Sequence, residues 1–332
     1  MRPVFCLFLT LFCFSFFSTT SYAQRTAYGN EPFAHTYSIV ARDSVTGELG
    51  VAVQSHWFSV GSLVTWAEAG VGAIATQSFV NPDFGPQGLA LLKTGLSAQQ
   101  TLDALIASDE GRAVRQVAIV DAQGRVAAHT GSKCIQPAGH IVGKQYSVQA
   151  NLMSNDKIWP AMSAAYEQAE GPLAERLMTA MHAAQEAGGD IRGKQSAAIL
   201  IVKPTSTGKV WQDRVVDLRV EDHPTPIQEM TRLLKVHRAY EHMNKGDLAV
   251  EEGDTEKALS EYGAAEAMFP ENEEMKFWHA ISLLNMGKIE EGKSLLQKVF
   301  SMNADWKKLI PELLPNDLLK VEEEIFEEIM KL

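Results

Sequence analysis

The run His35-Thr36-Tyr37-Ser38-Ile39-Val40-Ala41-Arg42-Asp43 decides how the rest of the chain is read. Its β-branched and aromatic residues predict a first core strand, headed by the hydroxyl residue Thr36 and closed by a turn former, Asp43. A second β-rich run, Leu49 to Gln54, follows across Asp43-Ser44-Val45-Thr46-Gly47-Glu48, so the two predict a hairpin. Were Thr36 the first residue of a mature chain, its amine could act as the base for its own hydroxyl. One residue would then supply both halves of an acyl-transfer catalyst.

Upstream of that strand, residues 1–23 carry Arg2, an apolar stretch from Val4 to Phe17, and a polar end at Ser21-Tyr22-Ala23. This is the layout of a secretory signal peptide cleaved before Gln24, and it predicts a periplasmic or extracellular protein. The apolar stretch falls short of the about 20 residues that span a bilayer, so no stable membrane anchor is expected. Residues 24–35, Gln24 to His35, are polar with Gly and Pro and read as an exposed tether. Two of the three cysteines, Cys6 and Cys13, leave with the leader, so the mature chain keeps only Cys134 and no internal disulfide.

Downstream, Val71 to Thr76 reads as a strand covered on both faces. Gly85 to Gly95 and Ser97 to Ser108 read as helices, the second opening on a Ser97–Gln100 capping box. Strands follow at Gln116 to Asp121, Arg125 to Thr130 and Tyr146 to Ala150, helices at Asp156 to Ala169 and Leu173 to Ala187, and strands at Gln195 to Val202 and Arg214 to Val220. Strands, two helices, strands, two helices, strands is neither a βα alternation nor an all-β pattern. It predicts an α+β fold with antiparallel sheets and outer helices, a four-layer α-β-β-α sandwich over residues 36–226.

Asp222-His223-Pro224-Thr225-Pro226 marks a boundary, after which residues 227–332 read as helical throughout, ending in a helix from Asn316 to Met330. Small or apolar residues recur 34 positions apart: Gly246 and Ala280, Gly253 and Gly287, Ala258 and Gly292, Tyr262 and Leu296, Ala265 and Val299. That period predicts a small all-α tetratricopeptide-like domain, although His242, Lys245, Lys276 and His279 stand where bulky apolar residues are expected. This part holds 13 basic and 22 acidic residues against a net charge of -11 for the whole chain, so the acidity is concentrated here. Nothing in the pattern resembles a basic nucleic-acid footprint.

For chemistry, Gly188-Gly189-Asp190-Ile191-Arg192-Gly193-Lys194-Gln195-Ser196 sets charged and amide side chains between a helix end and a buried strand. It reads either as a ligand loop or as a helix stop with a structural Asp–Arg pair. Ser55-His56 and Asn151 end strands and are candidate pocket residues. Cys134 beside His129 invites a nucleophile reading, but a lone buried cysteine is an ordinary packing residue. The nine histidines show no ligand spacing and no glycine loop lies between strand and helix, so neither a metal nor another cofactor is expected.

Thr36 to Asp43, Gly47 to Val53, Thr130 to Cys134, Gly188-Gly189-Asp190 with Arg192 to Ala198, and Asp217 to Val220 with Asp222-His223-Pro224 together resemble the bacterial family catalogued as domain of unknown function 1028, over roughly Thr36 to Leu234. The resemblance implies an N-terminal-nucleophile hydrolase-like fold. In simpler members the residue corresponding to Thr36 directly follows the initiator methionine; here twelve residues, Gln24 to His35, stand before it, so a free Thr36 amine requires a second cleavage. The expected chemistry is amide hydrolysis with Thr36 as nucleophile. Ser55, His56, Asn151, Asp190, Arg192, Gln195 and Ser196 would hold the amine, the oxyanion or a small amide or peptide substrate. The rival expectation is a catalytically silent platform whose helical repeats hold a peptide or protein partner, with homo-oligomerisation left open.

Overall fold

A computed structural model describes residues 33–332, so the leader read at 1–23 and residues 24–32 of the tether lie outside the described residues. The first part runs β1 (Phe33–Ala34), β2 (Thr36–Arg42), β3 (Leu49–Ser55), α1 (Gly61–Val64), β4 (Thr65–Glu68), β5 (Gly72–Phe79), α2 (Phe84–Lys93) and α3 (Ala98–Ser108). There follow β6 (Arg115–Asp121), β7 (Val126–Thr130), β8 (Gly139–Gly143), β9 (Tyr146–Ala150), α4 (Ile158–Gln168) and α5 (Leu173–Glu186). The chain continues with β10 (Ser196–Val202), α6 (Val210–Asp213), β11 (Arg214–Val220) and α7 (Pro226–Glu252). Five helices close it: α8 (Thr255–Met268), α9 (Glu273–Asn285), α10 (Ile289–Met302), α11 (Asp305–Leu313) and α12 (Glu323–Ile329).

Two antiparallel sheets result, one ordered β11-β10-β3-β2-β9-β8 and the other β1-β5-β6-β7 with β4 also on β5. The β2–β3 hairpin forms where turn chemistry expects it: Asp43 Oδ1 accepts the Val45 and Thr46 amides at 2.7 Å, and Gly47 takes φ +76°. Alternate strand residues then sort to two faces. Val40, Val51, Val53, Ala73, Ala75, Ala118 and Leu200 meet between the sheets. Ile39, Val148, Ile199 and Ile201 face outward against Leu177, Met181 and Ile227. On the far side, Ile74, Val117 and Ile119 pack on Leu89, Leu102 and Leu105 of α2 and α3. Each fully buried Ile or Leu contributes about 1.5–3 kcal/mol, and stretches such as Ile39 to Ala41, Leu49 to Val53 and Ala197 to Val202 are continuously apolar because both faces of the strand are covered.

Three differences from the sequence reading have physical causes. Residues 33–35 are not exposed tether: Phe33 and Ala34 pair with Phe79 and Ser78 of β5, and Ala34 and His35 are buried. The boundary at 226/227 falls inside one packing unit. Pro226 begins α7, but Ile227, Met230 and Leu234 belong to the core beside β10, and only later do Ala239, Met243 and Ala249 pack on Ala258 and Tyr262 of α8. The helix expected at Asn316 to Met330 shortens to α12, because Asp317 at φ +55° breaks the helical path before it.

In the C-terminal helices, residues 34 positions apart share surroundings. Gly253 and Gly287 both follow helix ends in left-handed conformation, at φ +75° and +76°. Ala258, Ala265, Ala280, Leu296 and Val299 are fully buried. Both histidines in unexpected positions are tied to acids, His242 to Glu261 at 2.6 Å and His279 to Glu266 at 2.8 Å, and Lys276 Nζ donates to the Pro270 carbonyl. Among the described residues no helix is long and apolar enough to cross a membrane.

Candidate active site

Strand register alone brings three hydroxyls into one row: Thr36 at the head of β2 lies opposite Ser55 at the end of β3, which lies opposite Ser196 at the start of β10. All three are fully buried. The Thr36 nitrogen is a peptide amide in the intact chain, and the Thr36 hydroxyl donates to the Ala34 carbonyl at 2.6 Å.

The carbonyl of the bond before Thr36 is the focus of the site. His35 O accepts from Ser55 Oγ at 2.6 Å and from Arg192 Nη2 at 2.6 Å. Arg192 is aimed by Asp190, whose carboxylate takes its Nε at 3.0 Å and its Nη2 at 2.7 Å. Asp190 in turn accepts the main-chain amides of Arg192 at 2.9 Å and His56 at 3.2 Å, so the buried carboxylate is fully engaged. The loop bends sharply enough to present the pair because Gly188 sits at φ +126°, where a Cβ would also come within 2.3 Å of Ser154 Oγ.

Behind this bond lies a polar layer. Thr36 O accepts the Asn151 amide at 3.1 Å and Gln77 Nε2 at 3.2 Å. Gln116 Oε1 takes both Gln77 Nε2 at 2.7 Å and Asn151 Nδ2 at 2.9 Å, while Ser38 bridges Gln77 Oε1 and Gln149 Nε2, each at 2.6 Å. Because Asn151 Nδ2 is committed to Gln116, its Oδ1 faces His35 Nδ1 at 2.7 Å, and the ring nitrogen must donate. Burial pushes the His35 imidazole below its ordinary value; the Asn151 hydrogen bond opposes this, Arg192 adds to it, and Asp190 opposes it. The ring is therefore held neutral at neutral pH.

Of the residues singled out in the sequence, Thr36, Ser55, Asn151, Asp190 and Arg192 converge on the His35–Thr36 bond. His56 reaches the site only through its main-chain amide, its ring being exposed near the Lys194 carbonyl at 3.4 Å. Gln195 pairs through its backbone, its amide with Ser55 O at 3.1 Å and its carbonyl with the His223 amide at 2.7 Å. Ser196 Oγ is occupied with the Trp57 carbonyl and the Val60 amide, holding the loop after β3. Cys134 donates to Arg115 O at 3.3 Å, and burial pushes its thiol up, away from thiolate chemistry. His35, Ser38, Gln77 and Gln116 were not singled out. The readable signal was a glutamine at the end of each of two apolar strand runs, Gln77 after Ala73-Ile74-Ala75-Thr76 and Gln116 before Val117-Ala118-Ile119-Val120, which the register sets opposite each other. Among the described residues no cluster of three or more His, Cys, Asp or Glu is placed to hold a metal ion.

A cleft of about 620 Å³ opens at the other end of β2, lined by Asp43, Glu48, Arg176 and Arg238. It is remote from Thr36, whose own surroundings are filled by residues 34 and 35.

Fold and site together define an α+β protein of two facing antiparallel sheets, with a hydroxyl residue leading a central strand and a C-terminal helical region. The chain belongs to the family of unknown function DUF1028, whose model matches residues 36–230. Among solved structures, the crystal structure of protein SPO2555 from Silicibacter pomeroyi, described by the family model DUF1028, is 30% identical. That alignment covers 61% of this chain and 85% of that one, with a TM-score of 0.55. Anbu (ancestral beta-subunit) from Yersinia bercovieri matches at 13% identity over 59% of this chain and 92% of that one, with a TM-score of 0.31, too remote to carry an argument. Comparison with curated proteins gives no match.

Proposed function

We propose that this protein is an exported amide hydrolase of the N-terminal-nucleophile type, in which breaking the His35–Thr36 bond creates the catalyst. The observation that carries this reading is the His35 carbonyl held between Arg192 and Ser55, with the Thr36 hydroxyl on the next residue. The start of the family match at Thr36 itself agrees with it. Rotation about χ1 takes Thr36 Oγ1 from Ala34 O to the His35 carbonyl carbon. As the C–O bond forms, the hydroxyl proton passes to the departing nitrogen of the same residue, and Arg192 and Ser55 stabilise the oxyanion. The C–N bond then breaks, leaving a His35 ester on Thr36 Oγ1 and a free Thr36 amine. Water hydrolyses the ester to a His35 carboxylate and the Thr36 hydroxyl. In later turnovers the amine takes the hydroxyl proton and returns it to the leaving amine of a substrate amide.

Intact-mass and N-terminal analysis of the full-length protein after incubation tests this. Wild type is expected to yield a chain beginning at Thr36, and Thr36→Ala to stay uncleaved. A wild-type chain that stays intact under every condition in which it is folded overturns the reading.

A second reading rests on the C-terminal helices, taken as tetratricopeptide-like pairs. A groove of about 380 Å³ lies between α7 and α9, with Trp278, Ile281 and Leu318 as apolar lining and Asp247 and Glu251 as an acidic rim. That chemistry suits an apolar peptide with basic residues, held by a platform that need not be catalytic. Peptide binding that survives Thr36→Ala but is lost in Trp278→Ala supports this reading; a helical region that binds no such peptide defeats it.

A further inference from the structure

The three residues before Thr36 occupy a formed binding site. Phe33 and Ala34 add to the edge of β5 opposite β6, continuing the edge on which β4 pairs with residues 72–75. The His35 ring stands edge-on to Phe79, with centroids 5.4 Å apart and planes at 84°, and donates to Asn151 Oδ1. The His35 carbonyl lies between Ser55 and Arg192. Main chain, side chain and carbonyl of the acyl side are thus each recognised by a different part of the sandwich.

Departure of this segment has a definite cost. Ser78 is fully buried and held at φ +77°, and the β5 edge beside it would lose its partner strand. Buried main-chain groups left unpaired favour a replacement strand over an empty edge. We infer that the natural ligand of this site is an extended peptide that adds to β5 in place of β1 and seats, between Phe79 and Asn151, a flat side chain able to donate a hydrogen bond. Residues 33–35 are the built-in competitor of that peptide. Asn151 cannot turn its amide to donate instead, because Nδ2 is held by Gln116. A carboxylate in the seat would face Asn151 Oδ1 oxygen to oxygen, and an aliphatic residue would leave Oδ1 unpaired. The Arg192 charge is already balanced by Asp190, so the clamp suits a neutral amide carbonyl rather than a free carboxylate.

The assignment of the peptide as substrate rests on the proposed hydrolysis, but its recognition does not, so the test reads binding in a full-length Thr36→Ala background. There, Ala34→Asp with His35→Gly ejects the segment, because Ala34 is fully buried between the sheets. A fluorescent, C-terminally amidated peptide of the sequence Asn30 to His35 is titrated by anisotropy. The expected result is binding roughly tenfold tighter than to the chain that keeps its segment, and roughly tenfold tighter than for the same peptide ending in leucine. Asn151→Leu should erase that preference. Absence of binding, or equal binding of the two peptides, overturns the inference.

Should the ejected variant not fold, His35→Gly alone serves. Imidazole added to it should raise its melting temperature, and should not do so for the unsubstituted chain or for His35→Gly with Asn151→Leu. No rise in His35→Gly overturns the inference equally. Peptide recognition without any cleavage at Thr36 would leave the inference standing and defeat the hydrolase reading; cleavage without peptide preference would do the reverse.

Discussion

The two ends of β2 each carry an Asp–Arg pair, and the pairs do different things. At the turn end, Asp43 accepts the Val45 and Thr46 amides, and Arg176, bound to it at 2.9 Å, lies over the Tyr166 ring at 4.7 Å. Every contact there secures the hairpin and the helix packed on it. At the head, Asp190 likewise organises its own loop, but Arg192 Nη2 has a second hydrogen, and that hydrogen goes to the His35 carbonyl. The two ion pairs therefore differ in one respect: at the head a guanidinium hydrogen is left over from the pair and is aimed at the His35 carbonyl. The open cleft of about 620 Å³ lies at the turn end, lined by Asp43, Glu48, Arg176 and Arg238.

The strongest way to break the comparison is at Thr36. Thr36→Ala should lower both self-cleavage and amide hydrolysis by roughly four orders of magnitude or more, measured by mass spectrometry and amine release, while leaving the melting temperature within a few degrees. Next comes an exchange of the two arginines. Arg192→Ala should slow cleavage at His35–Thr36 by roughly 10²–10³-fold, the usual cost of an oxyanion donor. Arg176→Ala should leave that rate unchanged and lower stability by about 1–3 kcal/mol in denaturant titration. If the two variants slow cleavage equally, the distinction between the ends fails.

A smaller effect is expected behind the site. Gln116→Leu removes the acceptor shared by Gln77 Nε2 and Asn151 Nδ2 and the donor to the Ala150 carbonyl; Gln77 Nε2 keeps the Thr36 carbonyl, and the loss should cost about 1–3 kcal/mol, with the Asn151–His35 contact loosened as well.

The weakest effect is in pH, and it separates the ends by window. His35 is held below its ordinary value by burial, so the folded state disfavours its protonated form. The unfolded chain binds the proton first, and stability present above about pH 6.5 falls as the pH drops through that value. At Asp43, burial pushes the carboxyl up, but the Thr46 and Val45 amides and Arg176 outweigh it and hold it below the usual carboxylate range. Its contribution is present above about pH 4 and is lost only as the pH falls below that. Burial holds His140 and His182 low as well, so melting curves across pH should show the upper step shrink, not vanish, in His35→Gln, and the lower one shrink in Asp43→Asn.

The sequence carried the sandwich further than the site. Tyr37 to Ala41 and Leu49 to Gln54, joined by Asp43 and Gly47, encode their hairpin locally, and Ser97 with Gln100 forms the capping box that their spacing predicts. Elements fixed by partners were illegible. β1 is two residues in a polar, Gly- and Pro-containing segment and exists only because β5 offers an edge. β8 is half-exposed with glycine at both ends, so neither alternation nor propensity announces it. At the site, Ser55, Asn151, Asp190 and Arg192 stood out as polar residues at element ends. The Gln77–Gln116 layer did not, because its logic is mutual satisfaction between two strands far apart in sequence.

Helix α7 has a mechanical consequence. Its first turns are embedded in the sandwich and its last turns in the helical region, so one rod of roughly 40 Å joins the two without a flexible joint. Cargo on the helices would be carried at a set angle, not tethered. Inserting a single residue after Leu234 should swing everything downstream by about 100° around that axis, turning the helical region as a gear rather than loosening it.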